Sequence, residues 1–410
     1  MPGSVAPLDM TGVQIPYHFR CPISLELMRD PVTVCTGQTY DRPSIESWVA
    51  TGHTTCPVTR APLADFTLIP NHTLRRLIQE WCVAHRSLGV ERIPTPKQPA
   101  DPTLLRLLIS QAAAPRSSSA ARLAAVRRLR ALAKESDKNR ALMATRETRE
   151  AMVGIALADA DPDLAAEAMA VLAMIGMGEA EAADLAERPD RICRLGTAVS
   201  TWQTLEARIS AGAVIEAAAA VGARTAVGAA DGVVDGVVRL IAEKGNARAA
   251  RVGIRALFAL CLAKENRHLA VAAGAAAAVV ERVREGTGES ERAMATVELL
   301  CRSEEGREAV MAAAAGDAGG AAAVVAALVR GMAGKAAEHA AGALVAMVGA
   351  SETLQKEAVK AGAMNQLLLM VQGGCSDRAK RKAQLLLKIL RSAWPQHDDI
   401  INSVDFLRPF

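Results

Sequence analysis

The feature that most constrains this chain is a recurrence of about 40 residues beyond residue 120. Leu260-Cys261 and Arg267 return as Leu300-Cys301 and Arg307, 40 residues on. Leu262-Ala263-Lys264-Glu265-Asn266-Arg267 echoes Leu132-Ala133-Lys134-Glu135, whose segment ends in Asn139-Arg140. Gly274-Ala275 and Gly362-Ala363 lie 88 residues apart, two periods of 44. The hydrophobic pattern over this stretch is almost wholly helical. A helical unit of this length exposes an apolar face that only its neighbour can cover, so the units must stack into a solenoid with a long concave surface. The strongest helix is Asp377–Leu390. Its inner face carries Ala383, Leu386, Leu387 and Leu390, and Arg378, Lys380, Arg381, Lys382 and Lys388 crowd much of the rest. Residues 178–250 follow the period poorly.

Composition agrees. Half of the 410 residues are hydrophobic but only 3% are aromatic. The core must be built from Ala, Leu, Val and Ile, which suits closely packed helices. A formal charge of +4 is too small at this length to demand a nucleic-acid or anionic-membrane partner. Residues 1–14 have neither a basic n-region nor an apolar h-region and are expected to be disordered. The longest uncharged apolar runs, 269–280 and 318–329, hold 12 residues each. A membrane span needs roughly 18 or more. We therefore expect a soluble cytoplasmic protein without a transmembrane segment, with the nucleus and peripheral membrane association left open, its eight cysteines free thiols or ligands and not a disulfide framework.

Residues 15–88 differ from the rest. They hold both Tyr, two of five Phe, two of four Trp and four of eight Cys, and read as a compact α+β domain. Val32-Thr33-Val34 followed by Thr36-Gly37 suggests a strand and a hairpin turn. Asp41 or Ser44 could cap a helix that runs through Trp48 and Val49 and stops at Gly52. A second helix is expected over 73–85, with Leu74, Leu77, Ile78 and Trp81 on one face. Residues 89–102 carry Pro94, Pro96, Pro99 and Pro102 and read as a linker. A short apolar helix over 104–109 and a loose segment at 115–119 lead into the all-α region, taken as 103–410.

The chemistry-bearing stretch is 21–60. A RING domain binds two zinc ions through eight Cys or His ligands. Its frame falls here on Cys21, Ser24, Thr36, Gln38, Asp41, Ser44, Cys56 and Thr59. Only two are Cys, and none of the others is a thiol or an imidazole, so neither four-ligand site can be built. The frame is that of a RING without its metals, and no cofactor is implied.

The residues that fill this frame resemble the U-box, the zinc-free relative of RING. The match runs through Ile15-Pro16, Phe19, Cys21-Pro22-Ile23-Ser24, Leu27-Met28, Asp30-Pro31-Val32, Thr39-Tyr40-Asp41-Arg42, Ile45-Glu46, Gly52-His53, Cys56-Pro57, Leu68-Ile69-Pro70-Asn71 and Leu74-Arg75. The repeats are similar, more loosely, to the armadillo region of plant U-box ubiquitin ligases. The resemblance implies an α+β U-box followed by an all-α armadillo solenoid. It implies that polar side chains replace zinc, with Ser24, Gln38, Asp41, Ser44 and Thr59 as the candidate network. It also implies a ligase without a covalent intermediate. A ubiquitin-charged conjugating enzyme would dock on Ile23, Trp48 and Pro57, and Arg60 would act as the linchpin that bridges it to ubiquitin. Trp48 lies eight residues before Cys56, the spacing RING domains use for that helix position. The armadillo array would recruit a protein substrate, self-association is allowed, and several members of the family act in plant stress and immune signalling.

Other residues have plainer readings. Cys21 and Cys56 read as buried thiols, and His53 as a structural loop residue, since no nucleophile pairs with it. Cys82, Cys193, Cys261, Cys301 and Cys375 read as non-catalytic. The basic face of 378–388 reads as solvated surface, with an acidic substrate segment as the sharper alternative. A non-enzymatic adaptor, whose U-box only docks a conjugating enzyme, is the competing functional reading.

Overall fold

A computed structural model describes residues 15–86, 99–286, 289–315, 320–349 and 351–393. They fall into two compact units, 1–98 and 99–410. The expected disorder of 1–14 and most of the expected linker lie outside the described residues.

The first unit is built on a three-stranded antiparallel sheet of order β2-β1-β3. β1 (Pro31–Thr33) pairs Val32 with Tyr40 of β2 (Thr39–Asp41) and with Pro70 of β3 (Ile69–Pro70). The hairpin turns at Thr36-Gly37, as the sequence suggests. α1 (Arg42–Ala50) follows β2 directly, and α2 (His72–Ala84) follows β3. Asp41 stands at the N-cap position of α1 but makes no capping bond. Its Oδ1 instead accepts from the amides of Arg29 and Asp30, at 2.9 and 2.7 Å. Asn71 does cap α2: its Oδ1 accepts from Leu74 N at 3.0 Å. On α2 the buried stripe is Ile78 and Cys82, flanked by half-buried Leu74 and Trp81. Leu77, expected on that face, is exposed, because 74, 78, 81 and 82 repeat at helical spacing and 77 falls beside them.

Tyr40, Met28, Val32, Ile45, Ile78 and the three thiols Cys21, Cys56 and Cys82 make the core of this unit. Asp30, where the chain enters β1, reaches both helices. Its Oδ2 lies 2.8 Å from Arg42 Nε, and its Oδ1 pairs with Arg75. One half-buried carboxylate thus ties sheet, α1 and α2 together.

The second unit is all helix. α3 (Pro102–Ala113) and α4 (Ser119–Glu135) open it. Three-helix units follow: α5 (Asp137–Met143), α6 (Arg146–Ala158) and α7 (Pro162–Ile175); α8 (Glu179–Ala186), α9 (Pro189–Thr201) and α10 (Leu205–Ala218); α11 (Arg224–Gly228), α12 (Val233–Ala242) and α13 (Ala247–Cys261). Then come α14 (Glu265–Ala272), α15 (Ala275–Glu285) and α16 (Ser290–Leu300); α17 (Glu304–Ala315), α18 (Gly320–Gly331) and α19 (Ala337–Val348); α20 (Glu352–Lys360), α21 (Ala363–Gln372) and α22 (Asp377–Leu390). The third helices α4, α7, α10, α13, α16, α19 and α22 pack each on the next. Their starts are 40 to 47 residues apart.

The recurring Asn-Arg pairs have a structural cause. Asn139 Nδ2 donates to Leu132 O and Arg140 to Ala133 O, at 2.9 and 3.0 Å. Asn266 Nδ2 donates to Leu260 O and Arg267 to Cys261 O, both at 2.9 Å. Each pair satisfies carbonyls that the end of a third helix leaves without intrahelical partners.

Two sequence boundaries move. Helix α3 begins at Pro102 and not at 104, because Asp101 caps it and Pro102 occupies its first turn, and it runs beyond 109 to Ala113. The array also continues through 178–250. There helices pack by close backbone approach: a Cβ on Gly236 would sit 2.9 Å from the Val199 carbonyl carbon. One described stretch, Leu205–Gly228, has the length and mean hydropathy of a membrane span. It is broken at Val221 and Gly222, and its α10 part packs between α7 and α13.

Candidate functional site

Two loops of the first unit have the same fold. In 21–26, Cys21 N donates to Glu26 O and Leu25 N to Cys21 O, both at 2.8 Å. In 56–61, Cys56 N donates to Ala61 O and Arg60 N to Cys56 O, again both at 2.8 Å. Ser24 Oγ accepts from Glu26 N, and Thr59 Oγ1 accepts from Ala61 N, each at 3.4 Å. Leu25 has φ +60° and Arg60 φ +58°, the two non-glycine residues in the left-handed region among those described. Such a conformation costs an L-residue about 1–2 kcal/mol, so each loop needs a strong anchor.

The anchors are the two buried sulfurs. Cys21 Sγ accepts from Asp41 N at 3.3 Å, with further bonds from Ser44 and from the amides of Ile23 and Ser24. Cys56 Sγ accepts from Thr36 Oγ1 at 3.3 Å and from the Tyr40 hydroxyl at 3.0 Å, with Thr59 as a further donor. The groups gather as the two interleaved ligand sets of a RING would: positions 21, 24, 41 and 44 around one sulfur, positions 36, 56 and 59 around the other. Among the described residues no three of His, Cys, Asp or Glu come close enough to hold a metal ion.

This arrangement changes the chemistry of the thiols. Burial pushes Cys56 up, but donors from Thr36, Thr59 and Tyr40 outweigh it and bring it down to about 6. Cys21 is lowered against burial in the same way, by the amides of Ser24, Asp41 and Ile23 and the Ser44 hydroxyl. Burial, with the adjacent Cys56 sulfur, pushes Tyr40 up, which keeps its hydroxyl a donor. Both cysteines are buried, as the sequence reading has them, but each is the centre of a set of hydrogen-bond donors and not a plain apolar thiol. By contrast, burial pushes Cys261 and Cys301 up to about 12. Cys35 and Cys193 are exposed and Cys375 is half-buried.

The predicted contact residues lie on the two loops and α1. Ile23 and Trp48 are half-buried against the core, Pro57 is half-buried, and Arg60 is exposed. Trp48 is held from two sides: Nε1 donates to Thr55 O at 2.9 Å, and its ring stacks on His53 at a centroid distance of 4.0 Å. His53 Nδ1 also meets Thr51 Oγ1 at 2.9 Å, so it buttresses the tryptophan. No described residue engages the Arg60 guanidinium by ion pair or hydrogen bond. Of the predicted network, Ser24, Ser44 and Thr59 serve the loops and sulfurs, and Asp41 contributes its carboxylate and its amide. Gln38, predicted for the network, joins neither sulfur cluster: its backbone carbonyl closes the hairpin by accepting from Val34 N at 3.0 Å.

Sequence reasoning missed Thr36 and Tyr40 as sulfur partners, the Arg42–Asp30–Arg75 cluster, and the exposed apolar tips Leu25 and Val58, which are 70% and 51% exposed. The signal for Leu25 and Val58 was their place within the two Cys-Pro turns. In the second unit, Lys382 is not free surface: its Nζ lies 2.7 Å from Glu298 and 3.7 Å from Glu338.

Fold and site together define a RING-like domain stapled by sulfur-centred hydrogen bonds and carried on one chain with a helical solenoid. The chain belongs to the plant U-box proteins with an armadillo-repeat region, a family of ubiquitin transferases. The U-box domain matches residues 15–87, and the plant U-box ARM repeat region matches 105–409. The chain is 49% identical to U-box domain-containing protein 26 of Arabidopsis thaliana, over 100% of this chain and 99% of that one. It is 32% identical to E3 ubiquitin-protein ligase PUB23 of the same plant, over 93% of this chain and 94% of that one. A solved structure of an engineered protein superposes with a TM-score of 0.53 at 17% identity, covering 80% of this chain and 77% of that chain, a likeness of fold alone.

Proposed function

We propose that this chain is a ubiquitin ligase that acts by positioning and without a covalent intermediate. Ile23, Trp48 and Pro57 form the seat for a ubiquitin-charged conjugating enzyme. Arg60 bridges that enzyme to its ubiquitin, so that the thioester is held in one attack-ready orientation for a substrate lysine. An arginine suits this task because its planar fork can hold two carbonyl oxygens at once. The face made by the third helices of the solenoid recruits the substrate.

One observation carries the reading. The exposed Arg60 guanidinium, with no partner among the described residues, stands on a loop of fixed backbone whose Pro57 and Val58 share it, while Trp48 is pinned to the residue just before that loop. Purified chain should form polyubiquitin with activating enzyme, conjugating enzyme and ubiquitin. Trp48→Ala and Ile23→Ala should each stop this while leaving the circular dichroism spectrum unchanged. Full activity in both variants would remove the proposed seat.

A further inference from the structure

Tyr40 is fully buried in the core of the first unit, yet its hydroxyl touches the second loop twice. It accepts from Val58 N at 3.3 Å and donates to Cys56 Sγ at 3.0 Å. Cys56 in turn accepts Arg60 N through its carbonyl at 2.8 Å. The chain of contacts runs from the sheet, through one hydroxyl, to the amide of the residue after Pro57 and to the residue that fixes the Arg60 backbone. The first loop has no such hydroxyl tether: its sulfur takes the amides of Asp41, Ile23 and Ser24 and the Ser44 hydroxyl, and no hydrogen bond from Tyr40.

We propose that Tyr40 and Cys56 are positioning residues for ubiquitin transfer, and that their hydroxyl–sulfur bond sets the orientation of the loop presenting Pro57, Val58 and Arg60. This rests on the linchpin role given to Arg60 above. The physical basis is preorganisation. Arg60 holds a left-handed backbone that an unanchored loop would leave, and a linchpin that samples several orientations loses most of its restraint on the thioester. The Tyr40 ring supplies the packing, and its hydroxyl supplies the orientation, so Tyr40→Phe separates the two.

The test has an activity arm and an arm independent of activity. In the full chain, Tyr40→Phe should speed amide exchange at Val58 and Arg60 by about tenfold, the equivalent of one lost hydrogen bond, and leave Leu25 and Glu26 unchanged. Equal acceleration in both loops, or in neither, would overturn the proposal whatever the chain's activity. In discharge of ubiquitin from a pre-charged conjugating enzyme to free lysine, Tyr40→Phe should lower the maximal rate about tenfold, with little change in the half-saturating enzyme concentration. Added to Arg60→Ala, it should cause no further loss, because both act through one guanidinium. Additive losses, or a wild-type maximal rate in folded Tyr40→Phe, would overturn the positioning role. Cys56→Ser should retain more activity than Cys56→Ala, since a hydroxyl can still take the Tyr40 bond. A wild-type chain that fails to speed discharge would instead remove the ligase reading itself.

Discussion

The Cys56 sulfur lies 3.0 Å from the Tyr40 hydroxyl in the interior of the first unit, and the bonds it takes from Thr36, Thr59 and this hydroxyl make the stability of the domain depend on pH. The folded pKa of Cys56 is about 6, against an ordinary value of 9.0. Between those values the unfolded chain binds a proton that the folded chain does not, so stability rises with pH. The contribution is complete above pH 9 and is lost as pH falls through 6. Amide exchange at Val32 and Tyr40 should report a free energy of opening that grows from pH 6 to pH 9. Cys56→Ala should flatten that slope, and a slope of opposite sign in the wild type would refute the charged sulfur.

The Asp30 carboxylate joins Arg42 at 2.8 Å and also pairs with Arg75, whose side chain is 12% exposed. Asp30→Asn would leave the Arg75 charge without its partner. We expect a loss of about 2 kcal/mol in chemical unfolding of the first unit, within the range for a hydrogen bond to a charged group. A change below about 0.5 kcal/mol, typical of exposed pairs, would show that solvent already screens the cluster.

The solenoid has its own charged node. Glu298 on α16 is 13% exposed and meets His339 of α19 at 2.9 Å and Lys382 of α22 at 2.7 Å. Burial pushes its carboxyl up, but His339 and Lys382 hold it below its ordinary value of 4.5. Its contribution to stability is therefore present above pH 4.5 and lost as pH falls through the depressed value. Glu298→Gln should loosen α22 at neutral pH, raising its amide exchange, and should leave α4 unchanged. The difference between variant and wild type should shrink in acid.

Much of this molecule was legible in its sequence, and particular residues show why. Asn139-Arg140 and Asn266-Arg267 recur because helix ends need the same donors, and a need met by side chains leaves a motif. At the end of α10 no such pair is needed, because the helix runs on through Ala219–Ala223 to Gly228, and so no motif is left there. The metal frame was legible because ligand spacing outlives the ligands. That frame already groups Thr36 with Cys56 and Thr59; what it hid is Tyr40, which lies outside it and reaches the Cys56 sulfur only because the sheet places it there. The left-handed backbone of Leu25 and Arg60 was hidden as well, because neither residue type announces it.

The most direct test of the account is single-turnover discharge of ubiquitin from a charged conjugating enzyme to free lysine. Wild-type chain should accelerate it. Trp48→Ala should abolish the acceleration and the binding of the conjugating enzyme together. Arg60→Ala should keep the binding and lose at least about tenfold in rate, the signature of an interaction used in transfer and not in docking. Unchanged discharge with Arg60→Ala, at equal binding, would contradict the claim that this domain works by holding the thioester in place.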